Sequence, residues 1–467
     1  MRGGRVRPLL ERRGSRLGLT TVALASSGAT TLIFHLVLAR RLGPHAFGEL
    51  ARVYALGMAV AQITMASISP ALSYVVGHGE DDAHRAAMAR SALRITGVAS
   101  LFVAVLYVPL ALVGFAPTST TSLVLGPLLA FIYALYFGMK LQLFVLDKVT
   151  FYAVAELAVD ALFFALLALL AWTNPAIGVL TFVIAYGLFV IVVAGKIRAG
   201  APRREPIDIR RQVARYASLS FVGAYSTVAR FPLVVGLTGI LASSAAAGKL
   251  AAIFAIVMPL FLVPQAASML TFATVARSKG NEEHEAVRQM TSVVTVFSTA
   301  ALLVCALFPH EIVQIVFGKE YLSATTAFVI VAIGVAPQLA SLPVGNAISA
   351  EGNVGLNAAI AALGVPVAVI GCLIAIPPLG LEGAAIGVTV SHVAMGCALL
   401  YFGHRRFQLS LPDMGFALVA VTLGILSAAL DFPLPVRVAI LCAATGAVAL
   451  RLRAGYLGRE FLRTEQA

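Results

Sequence analysis

Few side chains in this chain can do chemistry inside the long apolar runs that make up most of it. Arg230 is the first of them. It lies in AYSTVARFPLVVGLTG, residues 224–239, with Pro232 two positions on. A charge near the middle of a membrane span costs roughly 2.5–3.5 kcal/mol on insertion scales, so it normally faces a cavity or a partner. Ser220, Gly223, Thr227 and Arg230 follow at spacings of three, four and three, which puts them on one helix stripe. The second run carries a similar stripe through Gly48, Arg52, Ala55, Ala59, Gln62, Ala66 and Ser69. On the first run Ser27, Thr31 and His35 repeat at four, and on the tenth Gly334, Gln338, Ser341 and Gly345 form a fourth stripe. Close helix packing accounts for the small residues, but not for the charges. Arg230 lies roughly 20 Å into its run, while Arg52 and Lys249 lie within about 5–9 Å of the ends of theirs. Those two can also snorkel to head groups. With Arg41, Gln62, Thr227 and His35, these cations line a chamber suited to an anion.

Glu156 and Asp160 raise the opposite question. They are one helical turn apart, with Tyr152 one turn before them. Two carboxylates on one face repel unless one holds a proton or a cation lies between them. The pair is a candidate proton or Na⁺ relay, set against a water-exposed helix end paired with Lys148 or another basic loop residue. No phosphate-cradling glycine loop, metal-ligand spacing or nucleophile motif occurs in the sequence. His35 and His392 stand alone in their runs, and alone they read as packing histidines. Cys305, Cys372, Cys397 and Cys442 are scattered singly through apolar stretches and imply no disulfide framework. The expectation is a protein that is not an enzyme and needs no cofactor beyond a coupling proton or Na⁺.

The elements that position these residues are read from composition. The chain has 467 residues, of which 60% are hydrophobic and 12% charged, with mean hydropathy +0.94. Soluble domains carry about 25% charge, so the bulk of this chain belongs in a bilayer. At about 20 apolar residues per span, the runs number about fourteen. They fall at 18–39, 46–76, 92–114, 121–146, 151–172, 176–195, 216–238, 247–275, 290–308, 322–348, 355–376, 382–402, 414–430 and 434–450. The N-terminal run extends past a signal-like stretch ending at Ala25 and reads as an uncleaved span.

Of the 34 Lys and Arg, only Arg40, Arg41, Arg52, Arg230, Lys249, Lys319 and Arg437 fall outside one set of alternate loops and their span ends. The positive-inside rule then puts both termini in the cytoplasm. The net charge of +13 follows from that asymmetry and asks for no nucleic acid partner. AFGELARVYALGMAV (46–60) lies over AAGKLAAIFAIVMPL (246–260) without a gap, pairing Gly48 with Gly248, Leu50 with Leu250 and Met58 with Met258. DKVTFYAVAE matches GNVGLNAAIA at nearly the same offset. Six spans per copy is an even number, so the copies run parallel, a design that places a substrate site between them. The fold expected is an all-α polytopic membrane protein with two pseudo-symmetric six-helix lobes. These span 1–206 and 207–408, followed by an extra helix pair and basic tail at 409–467.

Three stretches carry a resemblance. LARRLGPHAFGELARVYAL (38–56) resembles the first loop and second span of bacterial polysaccharide flippases of the O-antigen and exopolysaccharide type. FGKEYLSATTAFVIVAIG (317–334) is similar to their loop into span ten, and LEGAAIGVTVS (381–391), after Pro377 and Gly380, to the start of span twelve. With the 6+6+2 span order, the likeness covers nearly the whole chain. These flippases belong to the multidrug/oligosaccharidyl-lipid/polysaccharide exporter superfamily, and the resemblance implies the two-lobe fold of MATE exporters and the lipid II flippase. It implies translocation of undecaprenyl-pyrophosphate-linked oligosaccharide across the cell (inner) membrane by alternating access, for cell-surface polysaccharide and lipopolysaccharide biosynthesis. The partners implied are the lipid-linked oligosaccharide, membrane lipids and polysaccharide polymerase or assembly proteins. Many such flippases carry an acid just before the span-seven base; here that position is Ala229. The competing expectations are an ion-coupled drug or metabolite exporter of the same fold, a membrane-embedded polymerase or ligase, and a transport-dead scaffold.

Overall fold

The computed structural model describes residues 6–77, 82–146, 148–173, 178–199, 209–275, 281–409, 435–436 and 443. Every regular element among them is helical. Nine described helices are long and apolar enough to cross a membrane, and the chain is a multi-pass membrane protein. Two of the nine, Ser26–Val76 and Val354–Phe407, run for 51 and 54 residues, enough for two crossings each. Both are broken by a glycine with positive φ, Gly43 (69°) and Gly380 (56°). That backbone region is open to glycine at no steric cost, so each long helix turns there. The runs expected at 414–430 and 434–450 lie almost wholly outside the described residues.

The chain divides into two compact units, residues 1–255 and 256–467. In the first, α1 (Val6–Ile63) passes through a π-helical segment, Thr64–Ile68, into α2 (Ser69–Gly77). Then come α3 (Asp82–Leu110), α4 (Thr120–Val145), α5 (Val149–Thr173) and α6 (Val179–Ala199). Helix α3 shows how the bilayer shapes the pattern. Val98, Leu101, Phe102 and Val105 are all exposed on one face, whereas Thr96, Ser100, Ala104 and Tyr107 are buried. An apolar face turned outward and a small, polar face turned inward is what lipid demands of a helix. The buried face packs on α4, where the Tyr107 hydroxyl meets Ser122 Oγ at 3.2 Å.

Helices α1, α4, α5 and α6 pack together around an aromatic core of Phe34, Tyr54, Tyr136, Phe163, Phe182 and Tyr186. Helices α7 (Arg210–Val228) and α8 (Arg230–Leu241) follow, interrupted at Ala229. The interruption has a covalent cause. Pro232 has no N–H to give the Val228 carbonyl, and its ring crowds the same group. The single stripe expected through Ser220, Gly223, Thr227 and Arg230 is therefore divided between two helices.

Helix α9 (Ser244–Val257) crosses α1 at the glycines that the sequence repeat equates. A Cβ on Gly48 would collide with the Ser244 carbonyl, and one on Gly248 with the Pro44 carbonyl. Positions 44 and 244 are themselves repeat equivalents. Contacts that exchange in this way mark two segments related by a two-fold axis.

The second unit contains α10 (Leu262–Val275), α11 (Asn281–Leu307), α12 (Pro309–Phe317), α13 (Thr325–Gly334), α14 (Ala336–Ala350), α15 (Val354–Ala362) and α16 (Gly364–Phe407). Val287, Ala340, Val344, Ala347, Leu399 and Phe407 belong to its buried core. At one end of that core Glu351 pairs with Arg406, while Arg288 donates to the Phe407 carbonyl at 3.1 Å and to Gln408 Oε1 at 3.1 Å. Burial and the neighbouring Glu283 carboxyl raise Glu351 to about 7, against the opposing pull of Arg406.

Candidate functional site

All the residues singled out as site candidates fall in the first unit. Glu156 and Asp160 lie among α1, α4, α5 and α6, and both are buried, at 0% and 2% exposure. The alternative of a wetted helix end is thereby excluded. The basic partner of Glu156 is Lys140 of α4, not Lys148. Lys140 Nζ donates to Glu156 Oε1 at 3.1 Å and to the Tyr136 hydroxyl at 3.1 Å, and the Tyr136 hydroxyl donates to the same Glu156 oxygen. The ammonium also lies over the rings of Tyr136, Phe137 and Tyr152, at 5.2, 5.6 and 5.1 Å. Thr30 donates to Asp160 Oδ1 at 3.0 Å.

Three oxygens on α5 complete no hydrogen bond in the structure: Tyr152 OH, Glu156 Oε2 and Asp160 Oδ2. Spaced four apart in sequence, they sit one above another on a single face. Counted among the basic span ends in the sequence, Lys140 is in fact 7% exposed. The available signal was its setting, YFGMKLQLF, a lone cation between apolar turns and one turn beyond Tyr136.

The cationic candidates are placed in different ways. Arg230 opens α8 with 1% exposure and lies against the Phe231 ring at 5.6 Å. Phe231 in turn meets Phe254 of α9 edge-on, with centroids 4.7 Å apart. Arg52 is 9% exposed and ties three elements together, donating to Ser244 Oγ at 3.1 Å and to the Gly114 carbonyl, with Gly239 against its chain. Arg41 is exposed and Lys249 half-buried.

Among the polar candidates, Gln62 is buried just before the π-helical segment, a distortion frequent at functional sites. Thr227 is exposed and bonds the Gly223 carbonyl at 3.0 Å. His35 is buried beside Phe34, Phe47 and Tyr54, its Nδ1 2.7 Å from the Thr31 carbonyl.

No known family profile and no curated protein matches the chain. Solved structures do. A lipid II flippase, MurJ, in an inward closed conformation is similar with a TM-score of 0.67 at 12% identity, over 94% of this chain and 99% of that one. An inward-facing multidrug resistance MATE family transporter of the MOP superfamily scores 0.64 at 14% identity, over 81% of this chain and 94% of that one. A MOP superfamily transporter from Pyrococcus furiosus, described as having a binding pocket of reversed polarity, scores 0.50 at 13% identity over 84% and 93%. The chain therefore has the fold shared by MATE transporters and the lipid II flippase.

Proposed function

We propose that this protein is a flippase that carries polyprenyl-pyrophosphate-linked oligosaccharide from the cytoplasmic to the outer leaflet of the cell membrane by alternating access. The observation that carries the reading is Arg230, a buried guanidinium at the proline-induced break between α7 and α8. An arginine held in a low-dielectric site is matched to phosphate, whose oxygens accept two parallel N–H bonds from its fork. Arg52, Lys249 and Arg41 extend the cationic lining, with Gln62, Thr227 and His35 as neutral polar partners. Glu156 and Asp160 form the coupling site that resets the cycle.

The two-copy plan, 1–206 and 207–408 with the pair at 409–467 outside the repeat, is supported by the exchanged contacts of Gly48 and Gly248. Both termini then lie in the cytoplasm. The fold is shared with a lipid II flippase along nearly the whole chain, which supports a lipid-linked cargo and a transporter over an enzyme. Polysaccharide polymerase and assembly proteins are the partners this role calls for.

The test is reconstitution of the full chain into proteoliposomes. Polyprenyl-pyrophosphate oligosaccharide on one leaflet should become accessible to an impermeant glycosidase on the other, while a cationic drug stays put. The MATE likeness makes drug export the second reading. Drug movement without lipid-linked sugar movement would establish it instead.

A further inference from the structure

The lysine inside the α1–α4–α5–α6 cluster is buried and bonded to Glu156 and Tyr136. Lys140, Glu156 and Asp160 are all buried, and their formal charges sum to minus one. Burying net charge is costly, several kcal/mol per ion even after relaxation, so the cluster requires one further positive charge. Glu156 Oε1 already receives the ammonium and the Tyr136 hydroxyl. Asp160 Oδ1 receives the Thr30 hydroxyl at 3.0 Å, and the Ser26 side chain also hydrogen-bonds this carboxylate.

The remaining acceptors are the open oxygens of Tyr152, Glu156 and Asp160 along α5. A metal cation taken up there would sit beside an ammonium that three aromatic faces hold in place. A proton carried on Asp160 neutralises the cluster without bringing a second cation against Lys140. The other titratable groups facing the pair are Tyr133 and Tyr136 of α4, Tyr152 of α5 and Tyr186 of α6. Among the described residues, the charged group that acts on Asp160 besides Glu156 is Lys140.

We propose that Lys140 is the ion-selecting residue of this site: it fills the cation position beside Glu156, so the site exchanges one proton and excludes Na⁺. The proposal rests on reading Glu156 and Asp160 as the coupling pair, and it predicts ion binding, which can be measured without any transport. The purified full chain in nanodiscs is titrated with NaCl against choline chloride at constant ionic strength. ²²Na⁺ binding, thermal stability and proton release into weak buffer are followed.

Wild type should bind no Na⁺ and release no proton on its addition. Lys140→Gln should gain saturable Na⁺ binding of about one ion per chain, lost again when Asp160→Asn is added, while Lys140→Arg should remain insensitive. Where Lys140→Gln does not fold, Lys140→Gln with Glu156→Gln removes the charges together and is read in the same way. Na⁺ binding by wild type overturns the proposal, as does a folded lysine-free variant that gains none. Full transport by Glu156→Gln with Asp160→Asn would instead remove the coupling role and leave the ion-binding result standing.

Discussion

At the scale of single residues, two of the cationic candidates, Arg52 and Arg230, are buried. Arg52 joins α1 to Gly114 and Ser244, so Arg52→Ala should lower thermal stability as well as transport. Arg230 lies at a helix break where its charge is costly to keep. Hydrogen bonds to charged groups are worth about 1.5–3 kcal/mol, so Arg230→Ala should reduce transport about 10- to 100-fold. Expression and membrane insertion should be kept. Arg230→Lys should recover only part of that loss, because a point charge lacks the planar fork. A complementation assay of surface glycan alongside a membrane-fraction immunoblot separates the two effects. Glu156→Gln with Asp160→Asn should slow turnover and remove its dependence on the ion gradient while head-group binding persists.

At the scale of elements, the sequence made some features legible and hid others for physical reasons. Apolar runs found the helices, because a bilayer imposes length and hydropathy on each segment separately. Gly380 marks the turn between two runs that were read apart, and Gly43 does the same for the first two. The division of α7 from α8 was missed, although Pro232 was in plain view, because helical periodicity carries across an interruption of one residue. The Lys140 partnership was hidden for another reason. A salt bridge between α4 and α5 depends on helix rotation, which hydropathy does not encode.

The crossing of α1 and α9 yields an element-scale prediction. Gly48→Val or Gly248→Val should block this close approach and abolish transport without preventing insertion. In a cysteine-free background, a cysteine at Ser244 should then label more readily with an impermeant reagent. Wild-type transport by either variant would remove the crossing from the cycle.

A second prediction concerns the Glu351–Arg406 end of the second unit. Glu351 titrates near 7 when folded and near the ordinary glutamate value of about 4.3 when unfolded. The folded state therefore binds the proton more tightly. Its stabilising effect is complete below pH about 4.3 and is lost as pH rises to about 7. Thermal melts of wild type should fall across that window, and Glu351→Gln should flatten the slope.

At the scale of the whole molecule, the proposed cargo has a charged head and a long lipid tail. On the proposed two-copy plan the segments beyond residue 409 fall outside the repeat, so their proposed role is to accommodate the lipid tail of the cargo. Deleting residues from 412 onward should spare insertion and impair movement of a polyprenyl-linked cargo. A cysteine at Gln62, near the π-helical distortion, should change its accessibility to an impermeant reagent when that cargo saturates the protein. Unchanged labelling would count against alternating access.

The central claim is that the cargo is a polyprenyl-pyrophosphate oligosaccharide held by Arg230. Mass spectrometry of lipid extracts from cells lacking the protein tests it most directly. The account predicts accumulation of complete polyprenyl-pyrophosphate-linked oligosaccharide, cleared by wild type and not by Arg230→Ala expressed at equal level. Lipid-linked sugars at normal levels in the deletion strain, or full clearance by Arg230→Ala, would contradict it.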